Sequence, residues 1–221
     1  MVLAPRHPLR DQGPVADEMH DADARPAGDH AIPIGAPKRR AAHDPAPVVI
    51  QLLLDPRGDR VESVVLEQAL VHPPARVAEM LHLPATSLTV KVTRIRKVNG
   101  EPVLLETSFL PQALCPGLEL TDLATHSLYA RLEADYHLSL LYTEQTMEYV
   151  PANEYEQRVF ALPAGAAMFL LEGVAFGEDD LPVEAFKAVY RADRCKFRLE
   201  SRRNGLGAAM QDEQRIRIIV T

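Results

Sequence analysis

The stretch from Ser87 to Pro111, SLTVKVTRIRKVNGEPVLLETSFLP, restricts what this chain can fold into more than any other. Asn99-Gly100 lies between two runs of alternating character. A type I′ turn needs φ > 0 at both central residues, which Asn and Gly tolerate, so the spacing predicts a β-hairpin. On the first arm Leu88, Val90, Val92, Arg94 and Arg96 share one face, and Thr89, Lys91, Thr93 and Ile95 share the other. The second arm runs from Pro102 to Leu110 and stops at Pro111, which has no N–H for a ladder. Arg94 and Arg96 therefore continue a face that begins apolar. Two guanidiniums on one sheet face suit an anionic ligand, because each presents a planar fork of donors. A solvated charged face with Glu101 and Glu106 as partners is the other reading of the same residues.

The grammar of that hairpin recurs. Val61 to Val71 reads as a strand with Val64, Leu66 and Leu70 on one side, and Ala75 to Leu83 as a short amphipathic helix carrying Val77, Met80 and Leu81. Leu138 to Val150 reads as a second long strand. Asn153 caps a helix whose Glu154 and Glu156 suit the positive end of its dipole. Both helices end at Leu-Pro, Leu83-Pro84 and Leu162-Pro163. A strand, a turn and a Pro-Val pair follow each time, Pro102-Val103 and Pro182-Val183, and then a Glu, Glu106 or Glu184. Val61 to Phe109 and Leu138 to Tyr190 are thus a faint internal repeat. Ser127 caps a third helix, Leu128 to Tyr136. Strands joined by tight turns pair antiparallel, and short helices must cover a face. The expected fold class is α+β, one antiparallel β-sheet with short covering helices.

Domain organisation follows from composition. Residues 1–46 are rich in Pro, Ala, Asp and His and lack apolar periodicity, which predicts a disordered tail. Residues 47–201 carry the folded domain, with Val48 to Leu54 as its first short strand. Residues 202–221 form a tail or edge strand. Four of the eight His lie in the tail without ligand-pair spacing, so no metal site is expected. The net charge of -7 argues against a large nucleic-acid footprint. No segment reaches the roughly 18 uninterrupted apolar residues that span a membrane. The two cysteines, Cys115 and Cys195, make no disulfide framework, and a cytoplasmic setting is the expectation.

Three segments together resemble a known family. LHLPATSLTVKVTRIRKVNGEPVLLETSFLP, HSLYARLEADYHLSL and LPVEAFKAVYRADRCKFRLE are similar to the UTRA domain of HutC-type GntR transcriptional regulators. The elements that carry the resemblance are the helix-Leu-Pro step, Arg-x-Arg before the turn, Glu-x-x-Phe-Leu-Pro, Ser-Leu-Tyr at a helix start, and Glu followed by Tyr-Arg-x-Asp-Arg. They occur in the family's order over roughly residues 61–200. The resemblance implies a chorismate-lyase-like fold, a homodimer, and a small-molecule effector site that controls a winged helix-turn-helix. No recognition-helix pattern is visible in this chain. DNA is therefore expected as a partner only if a winged-helix domain is supplied elsewhere.

The resemblance also implies an effector-binding set: Arg94 and Arg96, Ser127 and Tyr129, and Glu184 with Tyr190. The arginines and the helix start would take an anionic group, a sugar phosphate or small carboxylate. Glu184 and Tyr190 would take hydroxyl, amine or ring nitrogen. Tyr129 and Tyr190 as half-buried core tyrosines, and Glu184 paired to Lys187 or Arg191, stay open as plainer readings. Phe109 stands where the family usually has Tyr. Asp193 and Arg194 read as structural turn residues. No cofactor is expected. No nucleophile–base pair is visible, so an enzyme is not expected. A chorismate-lyase-like enzyme and a ligand-free dimerisation module are the alternatives.

Overall fold

The structure, a computed structural model, describes residues 52–53, 60–202 and 213–220, with side chains over 60–197. Its chain order is β1 Leu52–Leu53, β2 Val61–Val71, α1 Ala75–Met80, β3 Thr89–Val98, β4 Glu101–Pro111, α2 Leu128–Tyr136, β5 Tyr142–Pro151, α3 Glu154–Phe160, β6 Ala167–Phe176, β7 Pro182–Arg191, β8 Cys195–Arg202 and β9 Glu213–Val220. Six strands form one sheet in the order β2-β3-β4-β7-β6-β5, antiparallel throughout. A three-stranded sheet, β1-β9-β8, stands apart. This is the expected α+β class. The N-terminal tail lies outside the described residues, as does most of the Val48 to Leu54 strand.

The internal repeat is real in the topology. β2-α1-β3-β4 builds one half of the large sheet and β5-α3-β6-β7 the other, each from edge to centre, so β4 and β7 meet at the seam. The repeated Leu-Pro step has a backbone cause. His82 (φ 54°) and Ala161 (φ 52°) are left-handed. Their N–H groups donate to Glu79 and Arg158 carbonyls at 3.1 and 3.4 Å, and the next residues, Leu83 and Leu162, donate to Ala78 and Gln157 at 2.8 and 2.9 Å. That bond pair is a Schellman ending, and the following proline bars further helix. α3 opens with the expected Asn153 cap, extended to a capping box by Glu156: Asn153 Oδ1 accepts from Glu156 N at 2.8 Å, and Asn153 N donates to Glu156 Oε2 at 2.9 Å.

The hairpin turn falls at Asn99 (φ 52°) and Gly100 (φ 84°), as predicted. Asn99 also ties the turn to the start of β2, accepting from Arg60 N at 3.0 Å and donating its own N–H to Arg60 O at 2.9 Å. β5 begins at Tyr142 rather than Leu138. His137 leaves α2 in the left-handed region, and Leu138 N–H turns back onto Leu132 O, which delays the strand. Val64, Leu66 and Leu70 do not face the core; they are exposed along the β2 edge.

Both faces of the central strands are buried. One is covered by α1 and α3, with Leu105, Phe160, Met168, Leu170 and Val189 at its centre. The other is covered by α2 and the connection before it, where Val90, Val92 and Leu110 pack on Leu118, Leu128 and Leu132. Further along this second face come Arg94, Glu106 and Ser108, and then a second apolar cluster with Leu104, Leu171, Ala188 and Tyr190. Among the described residues no helix is long and apolar enough to cross a membrane.

Candidate functional site

The register builds the polar patch strand by strand. Arg94 of β3 lies opposite Glu106 of β4, and Glu106 opposite Ala188 of β7. Since alternate residues share a face, Arg94, Arg96, Glu106, Ser108, Glu184 and Tyr190 all project to the α2 side. Arg94 is 6% exposed and Glu184 1%, yet both are ionisable. Burying such groups is costly unless they are paired and hydrogen-bonded.

Pairing here is incomplete on the arginine side. Arg94 Nη2 stands 2.7 Å from Glu106 Oε1, and Arg96 Nη1 is 4.0 Å from the same oxygen. The contact is close but poorly aligned, because Glu106 Oε1 has no hydrogen-bond partner of proper geometry. Arg94 Nε and Nη1 and Arg96 Nε are likewise buried without a partner. An unmet buried donor costs about 1–3 kcal/mol. Three such donors lie on the neighbouring Arg94 and Arg96.

The carboxylate side is better satisfied. Tyr129, reaching down from the first turn of α2, donates to Glu184 Oε2 at 2.8 Å. Burial pushes the Glu184 carboxyl above its usual range. Hydrogen bonds from Ser108 and Tyr129 pull the other way, Glu106 adds to the rise, and Arg94 opposes it. Tyr129 is held well above its ordinary value by burial and then by Glu184. Tyr190 is raised by burial first and by Glu106 next, with Arg96 pulling it down, so its phenol lies within the field of the same patch. Its ring meets Phe197 edge-on at 5.5 Å, which closes that end.

Five of the six expected residues are thus brought to one region. Ser127 is not joined to them by any contact among the described residues. It is exposed, and its hydroxyl accepts from Ala130 N at 3.4 Å, serving its own helix. The reading of Arg94 as part of a solvated face is overturned by its burial. Glu101 pairs with Arg194 at 2.7 Å, away from the patch. Glu184 bonds Tyr129, while Arg191 is taken by Asp193 (3.1 and 2.7 Å) in the turn to β8, as expected of that turn. Phe109 faces the opposite side of the sheet with Lys91 and Ala185, so a hydroxyl there would not enter this patch. Glu106 and Ser108 also lie in this patch, outside the set expected from sequence. Among the described residues no group of His, Cys, Asp and Glu could hold a metal.

The class is set by a six-stranded antiparallel sheet in two equivalent halves, with an ionisable patch roofed by a helix. The chain belongs to the UTRA domain family, whose model matches residues 56–196. It is the effector-binding type of domain found in GntR-family transcriptional regulators, and a regulatory domain rather than an enzyme. The HTH-type transcriptional repressor NagR of Bacillus subtilis is 26% identical over 141 residues, covering 64% of this chain and 58% of that protein. The HTH-type transcriptional repressor PhnF of Mycolicibacterium smegmatis is 29% identical over 121 residues, 55% of this chain and 49% of that one. The crystal structure of the effector domain of PhnF from Mycobacterium smegmatis superposes with a TM-score of 0.59 at 25% identity, covering 62% of this chain and 85% of that chain. A GntR-family transcriptional regulator from Enterococcus faecalis V583 gives 0.57 at 26% identity, over 62% and 99%. The chain spans about half to three-fifths of the length of the curated relatives it matches.

Proposed function

We propose that this domain senses a small anionic metabolite, a sugar phosphate or small carboxylate, and modulates the DNA binding of a HutC-like GntR regulator. The observation that carries this reading is Arg94, buried in the sheet with Nε and Nη1 unmet, beside Arg96 and across from Glu106. A guanidinium in that setting has donors left over for an anion beyond its contact with Glu106. The output would come from a winged-helix domain supplied elsewhere, in a cytoplasmic homodimer. The mechanism is population shift: the ligand binds one arrangement of α2 over the sheet better than another, and this bias changes the geometry of the dimer. α2 suits the role because Tyr129 links it directly to the patch through Glu184.

Thermal-shift screening against sugar phosphates, amino-acid catabolites and small carboxylates tests the reading. At least one anion should stabilise the protein, and Arg94→Ala should abolish that shift. A wild-type protein indifferent to every anion would sink the proposal, as would a shift that survives Arg94→Ala.

A further inference from the structure

The charge pattern of the patch says more about the ligand than its sign. Two guanidiniums, Arg94 and Arg96, share it with two carboxyls, Glu106 and Glu184, so the protein's own charges nearly cancel. Glu106 is not a distant neighbour. It contacts Arg94 at 2.7 Å and remains the more open of the pair, with its side chain 22% exposed against 7% for Arg94. Glu106 Oε1 has no aligned donor. Glu184 differs in that Tyr129 already occupies it.

The patch therefore offers unmet donors and an unmet acceptor side by side. A dianionic group placed on Arg94 would also lie against the Glu106 carboxylate, and like charges in contact inside a protein repel strongly. A ligand with an anionic and a cationic group on neighbouring atoms meets both demands and leaves the patch close to neutral. We propose that the effector is a small zwitterion of the α-amino-acid type, its carboxylate taken by Arg94 and Arg96 and its ammonium by Glu106. This rests on the anion-sensing reading above and narrows it from anions in general.

The test compares three pools of probes on the full chain by thermal shift, followed by titration of the components that act: free α-amino acids, the same amino acids N-acetylated, and sugar phosphates. Acetylation removes the ammonium and keeps the carboxylate. Free amino acids should bind at least about tenfold more tightly than their acetylated forms, the lower end of what a charge-assisted hydrogen bond supplies. Glu106→Gln should shrink that ratio to within about threefold, a difference of under 1 kcal/mol. Equal or tighter binding of the acetylated pool, or of sugar phosphates, overturns the zwitterion and leaves the anion reading standing. So does a Glu106→Gln protein that still discriminates. No response of the wild type to any pool, or responses unchanged by Arg94→Ala, overturns both. The wild-type comparison decides by itself if Glu106→Gln does not fold.

Discussion

Tyr129→Phe is the sharpest probe of how α2 is tied to the sheet. The substitution removes one oxygen and leaves the ring volume, so it opens no sizeable cavity. What it takes away is the donor 2.8 Å from Glu184 Oε2, on a carboxyl that is 1% exposed. Hydrogen bonds to charged groups contribute about 1.5–3 kcal/mol. For a domain of this size each kcal/mol moves Tm by roughly 2–4 °C, so the expected drop at neutral pH is about 3–12 °C. The pH dependence carries the diagnostic sign. Glu184 is raised in the folded state by burial. The native protein thus binds the proton more tightly than the unfolded chain, and stability falls as pH rises from the ordinary glutamate value of about 4.3 through the raised one. Losing the Tyr129 bond removes support for the ionised form and raises Glu184 further. The deficit of Tyr129→Phe should therefore be largest at about pH 8 and shrink toward about pH 5, and Glu184→Gln should flatten the slope. Calorimetry across that range for the wild type, both single variants and the double variant closes the cycle. A deficit independent of pH, or single effects that simply add, would refute the coupling.

Three further outcomes test the scaffold. Gly173→Ala should destabilise by about 1–3 kcal/mol in urea unfolding, because its Cβ would collide with Glu144 O and sit 2.7 Å from Gln145 Cβ where β5 approaches β6; an unchanged midpoint would contradict that approach. Asn153→Ala should cost about 1 kcal/mol through loss of the α3 cap, and Asn153→Asp much less, read by the same denaturation. Cys115 and Cys195 are buried, and burial pushes both thiols up to about 12, so an aromatic disulfide reagent at mildly alkaline pH should label them only as the protein unfolds. Labelling of the native protein at the rate of a free thiol would show that one of these packed regions opens.

The parts of the fold legible in sequence are those fixed by local chemistry. Asn99-Gly100 dictates its turn, Ser127 and Asn153 cap their helices, and Leu-Pro marks both Schellman endings. Of the candidate patch, strand parity carries Arg94 with Arg96 and Glu184 with Tyr190 onto one face. In sequence Glu106 is only a partner for the arginines on a solvated face; its buried place beside them depends on register. A plain two-residue hairpin pairs Val98 with Glu101 and Lys97 with Pro102, and continuing that register would set Leu105 opposite Arg94. A shift between Arg96 and Lys97 instead pairs Arg96 with Leu104 and Arg94 with Glu106. The single extra residue, next to a proline that cannot donate, moves a carboxylate onto the arginines. Bulges are decided by tertiary packing and leave little trace in composition. Ser127 shows the opposite case: the sequence marks it as a cap, and the direction its hydroxyl takes, onto Ala130 N at 3.4 Å, is read only from coordinates.

The meeting of β4 with β7 has a consequence for how the molecule comes into being. Glu106 pairs with Ala188 and Leu104 with Tyr190, so the middle of the sheet joins strands separated by some eighty positions in the chain. While the ribosome is still making β5, the first half can close its own hairpin but exposes β4 as a raw edge of Val103, Leu104 and Leu105. Non-local pairing of this kind slows folding, and an open apolar edge invites the wrong partner. The proposed binding patch straddles that same join, its arginines emerging first and Glu184 and Tyr190 last. A metabolite held between them would brace the final step of assembly, so its availability could govern how much of this protein survives synthesis as well as how the finished domain responds.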